Sequence, residues 1–111
     1  MAKQYLLNAF SINMLVPMGV ESIHQVSFRE INLGIARNNL ADGEWVSGVG
    51  HADTAAVFSS ELGRQVECNR TTVALQPGDR VLVGQYTGPR LPEGATELPE
   101  GAAIQWWLVK V

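Results

Sequence analysis

A histidine stands where a helix is predicted to begin. His51 follows Gly50 at the end of a predicted strand over Glu44–Val49, and a predicted helix over Asp53–Leu62 comes directly after it. Backbone N–H groups at a helix N-terminus attract anions such as phosphate. A histidine beside them can give a proton to a departing oxygen near neutral pH. The alternative is a histidine that only caps or packs at the loop, and a lone Gly-His pair favours that structural role.

A polar segment follows the first predicted strand. It runs from Asn8 to Asn13 with the sequence Asn-Ala-Phe-Ser-Ile-Asn. Side chains of Asn8, Ser11 and Asn13 can hydrogen-bond a ligand or cap a short helix. Turn chemistry alone accounts for such residues in most proteins. We expect a turn or short helix over residues 10–14 and predict that the segment forms one ligand site with Gly50-His51.

Two arginines and a glutamate complete the residues that can carry chemistry. Arg70 and Arg90 can each pair with a phosphate, although arginines at strand starts and on loops are more often only solvated. Glu93 can orient Arg90 or contact a ribose hydroxyl, and the alternative is a surface turn residue. Glu93 lies in Leu91–Gly94, a Leu-Pro-Glu-Gly sequence that recurs as Leu98–Gly101. We interpret the repeat as two copies of one turn.

The sequence contains no pattern typical of disulfide, metal, dinucleotide or serine-nucleophile chemistry. A single cysteine, Cys68, excludes an intrachain disulfide and a cysteine-rich zinc site, and we expect it to be buried or half-buried. His24 is interpreted as structural. Metal-ligand spacings, Walker and dinucleotide fingerprints and a serine elbow are absent, so neither a metal nor a cofactor is predicted.

The charge pattern limits the partners. The net charge is −3, and the eight lysines and arginines are scattered along the 111 residues, which argues against wrapping DNA or another polynucleotide. The N-terminal region shows neither a signal peptide nor a run of about 20 apolar residues, so we expect a cytoplasmic protein without membrane insertion. A small anion held by one or two arginines remains compatible with this charge.

The hydrophobic pattern predicts a small single α/β domain over residues 1–111, with a mixed central sheet of about five or six strands and two main helices. Strands are predicted over residues 4–9, 20–26, 44–49, 70–75, 80–86 and 103–111. The fourth and fifth form a predicted hairpin around Pro77-Gly78. Breaks are predicted at Pro17 and at Asp42-Gly43, and a long loop over residues 87–102.

Capping signals locate the two helices. Ser27 with Glu30 forms a capping box that predicts a first helix to about Asn38. Its buried face would carry Phe28, Ile31 and Ile35. The second helix, over Asp53–Leu62, is predicted to bury Ala55, Phe58 and Leu62 and to end at Gly63.

Several motifs, taken in order, resemble those of one family. Leu7–Leu15 (Leu-Asn-Ala-Phe-Ser-Ile-Asn-Met-Leu) nearly matches its first block, and Val49-Gly50-His51 followed by Thr54-Ala55 matches the second. The order is completed by Asn69-Arg70, Pro77-Gly78-Asp79 and Arg90-Leu91-Pro92-Glu93-Gly94. Over residues 3 to about 97 the chain resembles the viral anti-CRISPR ring nucleases, which also occur in bacteria and on mobile elements.

The resemblance implies a homodimer that binds cyclic tetra-adenylate across the subunit interface and cuts it to linear di-adenylate without a metal. In such enzymes a ribose 2′-hydroxyl attacks the adjacent phosphate and leaves a 2′,3′-cyclic phosphate, which switches off type III CRISPR signalling. The resemblance makes His51 the general acid and brings Arg90 and Glu93 to the site from a loop, which we expect to belong to the other subunit. Its implied ligand-binding residues are Asn8, Ser11, Asn13, Thr54 and Arg70.

One residue departs from the family pattern. Asp53 stands where relatives commonly have a small or hydroxyl residue, and a carboxylate there can cap the helix or repel a phosphate. Two other functions are compatible with the same residues. One is a non-catalytic sponge that lowers the free concentration of the cyclic nucleotide. The other is an interaction module of a virus or mobile element without a nucleotide ligand.

Overall fold

A five-stranded mixed sheet organises the described residues, which in this computed structural model are 3–16, 19–41 and 43–111. The strands are β1 (Gln4–Leu7), β2 (Ser27–Ile31), β3 (Val46–Ser47), β4 (Arg80–Thr87) and β5 (Ala103–Lys110). Two α-helices, α1 (Leu33–Ala41) and α2 (Ala52–Leu62), accompany a 3-10 helix over Ile12–Met14. The predicted α/β architecture, with five or six strands and two helices, is therefore confirmed.

The sheet joins a parallel part to an antiparallel part. Its spatial order is β2-β5-β4-β1-β3, in which β1 pairs in parallel with β3 and β4, whereas β5 is antiparallel to β4 and β2. Because β3, β1 and β4 run in one direction, the segments that follow them leave from the same edge of the sheet. Those segments are residues 8–13, 48–51 and 88–94. Ligands of open α/β sheets commonly bind at this carboxyl edge.

Both helices pack on one face of the sheet. Phe58 and Leu62 of α2 lie against Leu6, Leu82 and Trp106, and all five side chains are buried. The predicted buried stripe of α2 and its end at Gly63 are both confirmed, since the Gly63 N–H donates to the Ser59 carbonyl at 3.0 Å. The packing holds the N-terminus of α2 in a defined position at the carboxyl edge.

Loops rather than α-helices cover the opposite face within the described residues. A second apolar cluster there includes Leu7, Leu75 and Val81. The Phe10 ring packs edge-on against Phe28 with centroids 5.5 Å apart, and Phe28 keeps 55% of its surface exposed. This face of the sheet is therefore incompletely covered near β2.

The predicted first helix is wrong in its N-terminal half. Ser27–Ile31 forms β2 instead of starting a helix, and it pairs with β5 along its whole length. The helix begins at Leu33 and takes its N-terminal support from Asn32, whose Oδ1 accepts from the Ile35 N–H at 2.9 Å. Strand pairing with β5 outweighs the local capping signal, because the segment pairs in register with β5 over all five of its residues.

Three predicted strands also need correction. Residues 20–26 form no strand, and Val20 and Ile23 in that segment are 98% and 89% exposed. The strand predicted over 44–49 is limited to Val46–Ser47. The predicted hairpin is wrong as well. Residues 70–75 contribute one isolated bridge, between Leu75 and Leu15, and the true neighbours of β4 are β1 and β5.

Several smaller expectations have clear outcomes. The predicted loop over 87–102 and final strand over 103–111 are confirmed to within one residue. Cys68 is exposed rather than buried, because the segment that contains it runs outside the sheet. The predicted breaks at Pro17 and Asp42 lie outside the described residues. None of the helices in the described ranges has the length and hydropathy that crossing a bilayer requires.

Candidate functional site

A cleft of about 810 Å³ opens where the N-terminus of α2 faces the loop that follows β4. Four of the predicted site residues meet there within one chain: His51, Thr54, Arg90 and Glu93. Arg90 and Glu93 thus lie in a cleft with His51 of their own chain, whereas the sequence led us to expect them from the other subunit. The complete lining is His51, Asp53, Thr54, Tyr86, Gly88, Pro89, Arg90, Leu91, Pro92 and Glu93. The cleft therefore combines an imidazole, a guanidinium and two carboxylates with the N–H groups of a helix N-terminus.

His51 is the N-cap residue of α2, yet its side chain does not cap. Its backbone is extended, with φ −124° and ψ 131°, and its carbonyl accepts from the Ala55 N–H at 2.9 Å. The imidazole makes no capping hydrogen bond and is exposed. The side chain of His51 therefore neither caps the helix nor packs in a buried position. Its ring is available to a ligand at the positive end of the helix dipole.

The loop that carries Arg90 and Glu93 contains a tight turn. The Ala95 N–H donates to the Pro92 carbonyl at 3.1 Å, and Gly94 takes the φ of 80° that this turn requires. Asp53 Oδ1 accepts from the Gly94 N–H at 3.0 Å, which connects the turn to the start of α2. The carboxylate at the position that departs from the family thus has a structural partner.

The second Leu-Pro-Glu-Gly sequence forms the same turn. The Ala102 N–H donates to the Pro99 carbonyl at 3.1 Å, and Gly101 has a φ of 82°. The interpretation of the repeat as two copies of one turn is confirmed. Only the first copy, over Leu91–Gly94, contributes to the cleft.

Arg70 reaches the neighbourhood of the cleft through a polar network. The Asn69 side chain donates to the Ser47 carbonyl at 2.7 Å, and the Asn69 N–H donates to the Val49 carbonyl at 2.7 Å. These bonds hold the segment beside the end of β3. A Cβ at Gly50 would stand 3.4 Å from Arg70 Cγ. Arg70 is thus next to Gly50-His51 but outside the lining of the cleft.

The polar segment after β1 lies apart from the cleft in this chain. Ser11 Oγ accepts from the Asn13 N–H at 3.3 Å and caps the short helix Ile12–Met14, so the expected short helix is confirmed. Ser11 and Asn13 are exposed, and Asn8 is half-buried. Because Phe10 packs against the apolar cluster on the helix-free face, the segment turns away from α2.

Two contributors to the cleft were missed in the sequence. Tyr86, at the end of β4, donates its hydroxyl hydrogen to the Pro89 carbonyl and helps to shape the loop. The contact between Asp53 and Gly94 joins residues 41 apart. No local sequence pattern predicts either contact, although Asp53 was noted as a residue that departs from the motif of the family that the sequence resembles. Among the described residues, no three His, Cys, Asp or Glu side chains are placed to hold a metal ion together.

The fold and the cleft define a small mixed α/β protein with a polar site at the carboxyl ends of its parallel strands. Residues 4–105 match the model of the STIV B116-like family, and the chain belongs to that family. A solved structure to which it is similar is B116 of Sulfolobus turreted icosahedral virus. The two share 25% identity with a TM-score of 0.78, over 99% of this chain and 100% of that chain.

These comparisons confirm the relationship to a viral family that the sequence motifs indicated. No curated protein sequence matches the chain. The structural likeness extends over both chains almost completely, so the fold of this protein is that of the viral relative throughout.

Proposed function

We propose that the chain is a metal-independent ring nuclease that binds cyclic tetra-adenylate and cleaves it to linear di-adenylate with 2′,3′-cyclic phosphate ends. This activity would switch off type III CRISPR signalling. The observation that carries the proposal is the meeting of His51, Arg90 and Glu93 in one cleft at the N-terminus of a helix. Membership of a family with a viral structural relative supports the biological setting.

The chemistry of the ligand fits the groups in the cleft. A ring of ribonucleotides carries its own nucleophile, the 2′-hydroxyl, so the protein has to align it, protonate the leaving 5′ oxygen and neutralise charge on the phosphate. His51 is the proton donor in this proposal, a role that is typically worth about 10²–10⁴-fold in rate. Arg90 and the N–H groups of α2 balance the phosphate charge, and Glu93 orients Arg90 or contacts a ribose.

A second copy of the chain completes the site in this proposal. Asn8, Ser11 and Asn13 lie outside the cleft lining of their own chain, so the proposal assigns their contact with the ligand to the partner copy. Ile12, between the two exposed polar residues, is 70% exposed, and Phe28 on the same helix-free side is 55% exposed. Burial of these side chains against a partner would remove apolar surface from water and favour association.

The dimer is tested by measuring mass in solution. Sedimentation of the parent protein should give twice the 12.1 kDa of one chain. An Ile12→Asp variant should shift the equilibrium toward the monomer, because a carboxylate would be buried in the contact. A Val46→Asp variant, which alters another exposed apolar residue on the edge strand β3, is the matched control. A monomeric parent at micromolar concentration would contradict the dimer.

The activity is tested with labelled cyclic tetra-adenylate in the presence of EDTA. Linear product supports the nuclease, tight binding without product supports the sponge, and the absence of both supports the interaction module. His51→Ala should retain binding and lose roughly 10²-fold or more of the cleavage rate. His24→Ala, at the other histidine of the chain, is the control and should cleave like the parent. A His51→Ala rate within a few-fold of the parent would contradict the general-acid role.

A further inference from the structure

The loop that carries Arg90 and Glu93 is held against α2 by one carboxylate. Asp53, the second residue of α2, is half-buried and accepts from the Gly94 N–H at 3.0 Å. The other hydrogen bonds of this part of the loop are local. One joins Ala95 to Pro92, and the Tyr86 hydroxyl donates to Pro89. Among the hydrogen bonds of this part of the loop, that of Asp53 is therefore the one that joins the turn to the helix rather than closing the turn itself.

The second Leu-Pro-Glu-Gly turn provides an internal comparison. Gly101 has nearly the same φ as Gly94, and its turn closes with a hydrogen bond of the same length. No carboxylate contacts Gly101 among the described residues. The turn thus forms from its own sequence without an external acceptor. What Asp53 adds at the first copy is attachment to the element that begins beside His51.

Asp53 also lies in the first turn of α2. A carboxylate in the first turn of a helix is stabilised by the dipole of the helix, and a carboxylate bonded to a backbone N–H makes a stronger hydrogen bond than a neutral acceptor does. The same residue would repel a phosphate if its oxygens faced the ligand. One of those oxygens is engaged by Gly94 instead.

We infer that Asp53 is a positioning residue, which tethers the loop so that Arg90 and Glu93 stand opposite His51. This inference rests on the proposed nuclease function. Arg90 and Glu93 are both exposed, and their loop is otherwise tied near the cleft by local bonds. Without the tether the two side chains would occupy a wider range of positions, and misplacement of a reacting group by about 1 Å can cost roughly 10²-fold in rate.

Two substitutions distinguish the hydrogen bond of Asp53 to Gly94 from the negative charge of its carboxylate. Asp53→Ala removes the acceptor, whereas Asp53→Asn keeps a carbonyl oxygen that can accept from Gly94 and removes the charge. Glu100→Ala, in the second turn, is the matched control, since Glu100 is exposed and lies outside the cleft lining. Far-UV circular dichroism should show the parent fold in all three variants.

The first readout is limited trypsin digestion, which needs no nucleotide. Cleavage after Arg90 reports release of the loop, and cleavage after the exposed Arg70 serves as an internal reference. We expect Asp53→Ala to raise the rate after Arg90 by about tenfold, as loss of a charge-assisted hydrogen bond predicts, with an unchanged rate after Arg70. Asp53→Asn should stay within about threefold of the parent, because the bond is retained in weaker form.

The second readout is cleavage of cyclic tetra-adenylate. Asp53→Ala should lower kcat by about tenfold with a smaller change in KM, since the tether aligns the reacting groups rather than binding the ring. Asp53→Asn should recover most of that loss, and Glu100→Ala should match the parent. Recovery by asparagine is the result that a purely electrostatic role of Asp53 does not produce.

The outcomes distinguish this inference from the proposed function. If the parent protein does not cut the ring, the nuclease proposal fails, and the trypsin comparison alone decides whether Asp53 holds the loop. Equal trypsin rates for Asp53→Ala and the parent overturn the tether. Equal losses of kcat in the alanine and asparagine variants overturn it too, because the charge rather than the hydrogen bond would then matter.

Discussion

A methyl group at residue 84 would test the packing that holds α2 on the sheet. Gly84 lies in β4 beneath two aromatic rings, Phe58 of α2 and Trp106 of β5, whose centroids are 5.1 Å apart. An added Cβ would stand 2.6 Å from Phe58 Cζ and 2.7 Å from Trp106 Cζ3. Both rings are buried, so neither can swing into solvent. Gly84→Ala therefore requires a shift of the helix, the sheet or both.

The size of the effect follows from these distances. Carbon atoms in contact normally lie about 3.5–4.0 Å apart, so each ring would have to retreat by roughly 0.8–0.9 Å or more. Overpacking of this kind costs about 1–3 kcal/mol. The reduced freedom of the unfolded chain returns roughly 0.4–1 kcal/mol for a Gly→Ala change. The difference spans about 0–2.6 kcal/mol. Because two buried rings must both move, we expect a net loss of about 1–2 kcal/mol, which lowers Tm by roughly 4–16 °C in a domain of this size.

Equilibrium unfolding in urea, followed by far-UV circular dichroism, measures the loss. A second variant, Phe58→Leu, completes a double-mutant cycle. Alone, Phe58→Leu should destabilise the protein because it leaves a cavity. In the Gly84→Ala background the same change should cost about 1 kcal/mol less, because the methyl group fills part of that space. If the unfolding free energy of Gly84→Ala lies within about 0.5 kcal/mol of that of the parent, the methyl group does not overpack this site. Strict additivity of the two changes would lead to the same conclusion.

Three further changes have expected outcomes in the same assay. Asn69→Ala removes the donor to the Ser47 carbonyl and should cost about 1–2 kcal/mol, and it should weaken cyclic tetra-adenylate binding in calorimetry because Arg70 follows directly. Ser59→Ala removes an acceptor 2.8 Å from the Val66 N–H and should cost about 1–2 kcal/mol. Gly34→Ala, on an exposed part of α1, should stabilise by roughly 0.5–1 kcal/mol through helix propensity.

Each of these changes has its own control or contrary result. Ser60→Ala, at the exposed neighbour of Ser59 in α2, should keep or slightly raise stability, by up to about 0.5 kcal/mol through helix propensity. An equal loss in both variants would mean that the hydrogen bond of Ser59 is irrelevant. If Asn69→Ala leaves the affinity for the nucleotide unchanged, Arg70 does not contribute to ligand binding in the way proposed. A stability loss in Gly34→Ala would mean that Asn32 Oδ1, 3.3 Å from the added Cβ, cannot move while capping the helix.

The second helix illustrates what a local pattern predicts well. Ala55, Phe58 and Leu62 recur at helical spacing and are all buried, and Gly63 ends the helix in the left-handed conformation. Local propensity, side-chain periodicity and the capping residue agree over these eleven residues. The apolar strand β5 was equally clear, because its length and composition allowed few other structures.

The first helix shows where a local pattern fails. Ser27 and Glu30 satisfy the capping-box spacing, but β5 lies alongside them and pairs with the segment over its whole length. The prediction for the segment after Asn69 was wrong in the opposite direction, because a strand was predicted over residues 70–75 and only an isolated bridge forms there. The segment resembles a strand, yet β1 and β5 occupy the two edges of β4 that it would need. Strand pairing depends on neighbours far away in sequence, which propensity does not record.

Local motifs were enough to identify the groups that can carry chemistry. They are a histidine after a glycine at a predicted helix start, an arginine and a glutamate beside a Leu-Pro-Glu-Gly turn, and the polar segment after the first strand. Which of these groups meet depends on the pairing of strands that are far apart in the sequence. Parallel pairing of β3, β1 and β4 brings their carboxyl ends to one edge, where His51 faces Arg90 and Glu93 while Asn8–Asn13 turns to the other face. The hydrogen bond from the Gly94 N–H to Asp53 also depends on the tertiary structure, because it forms only after the strands have paired.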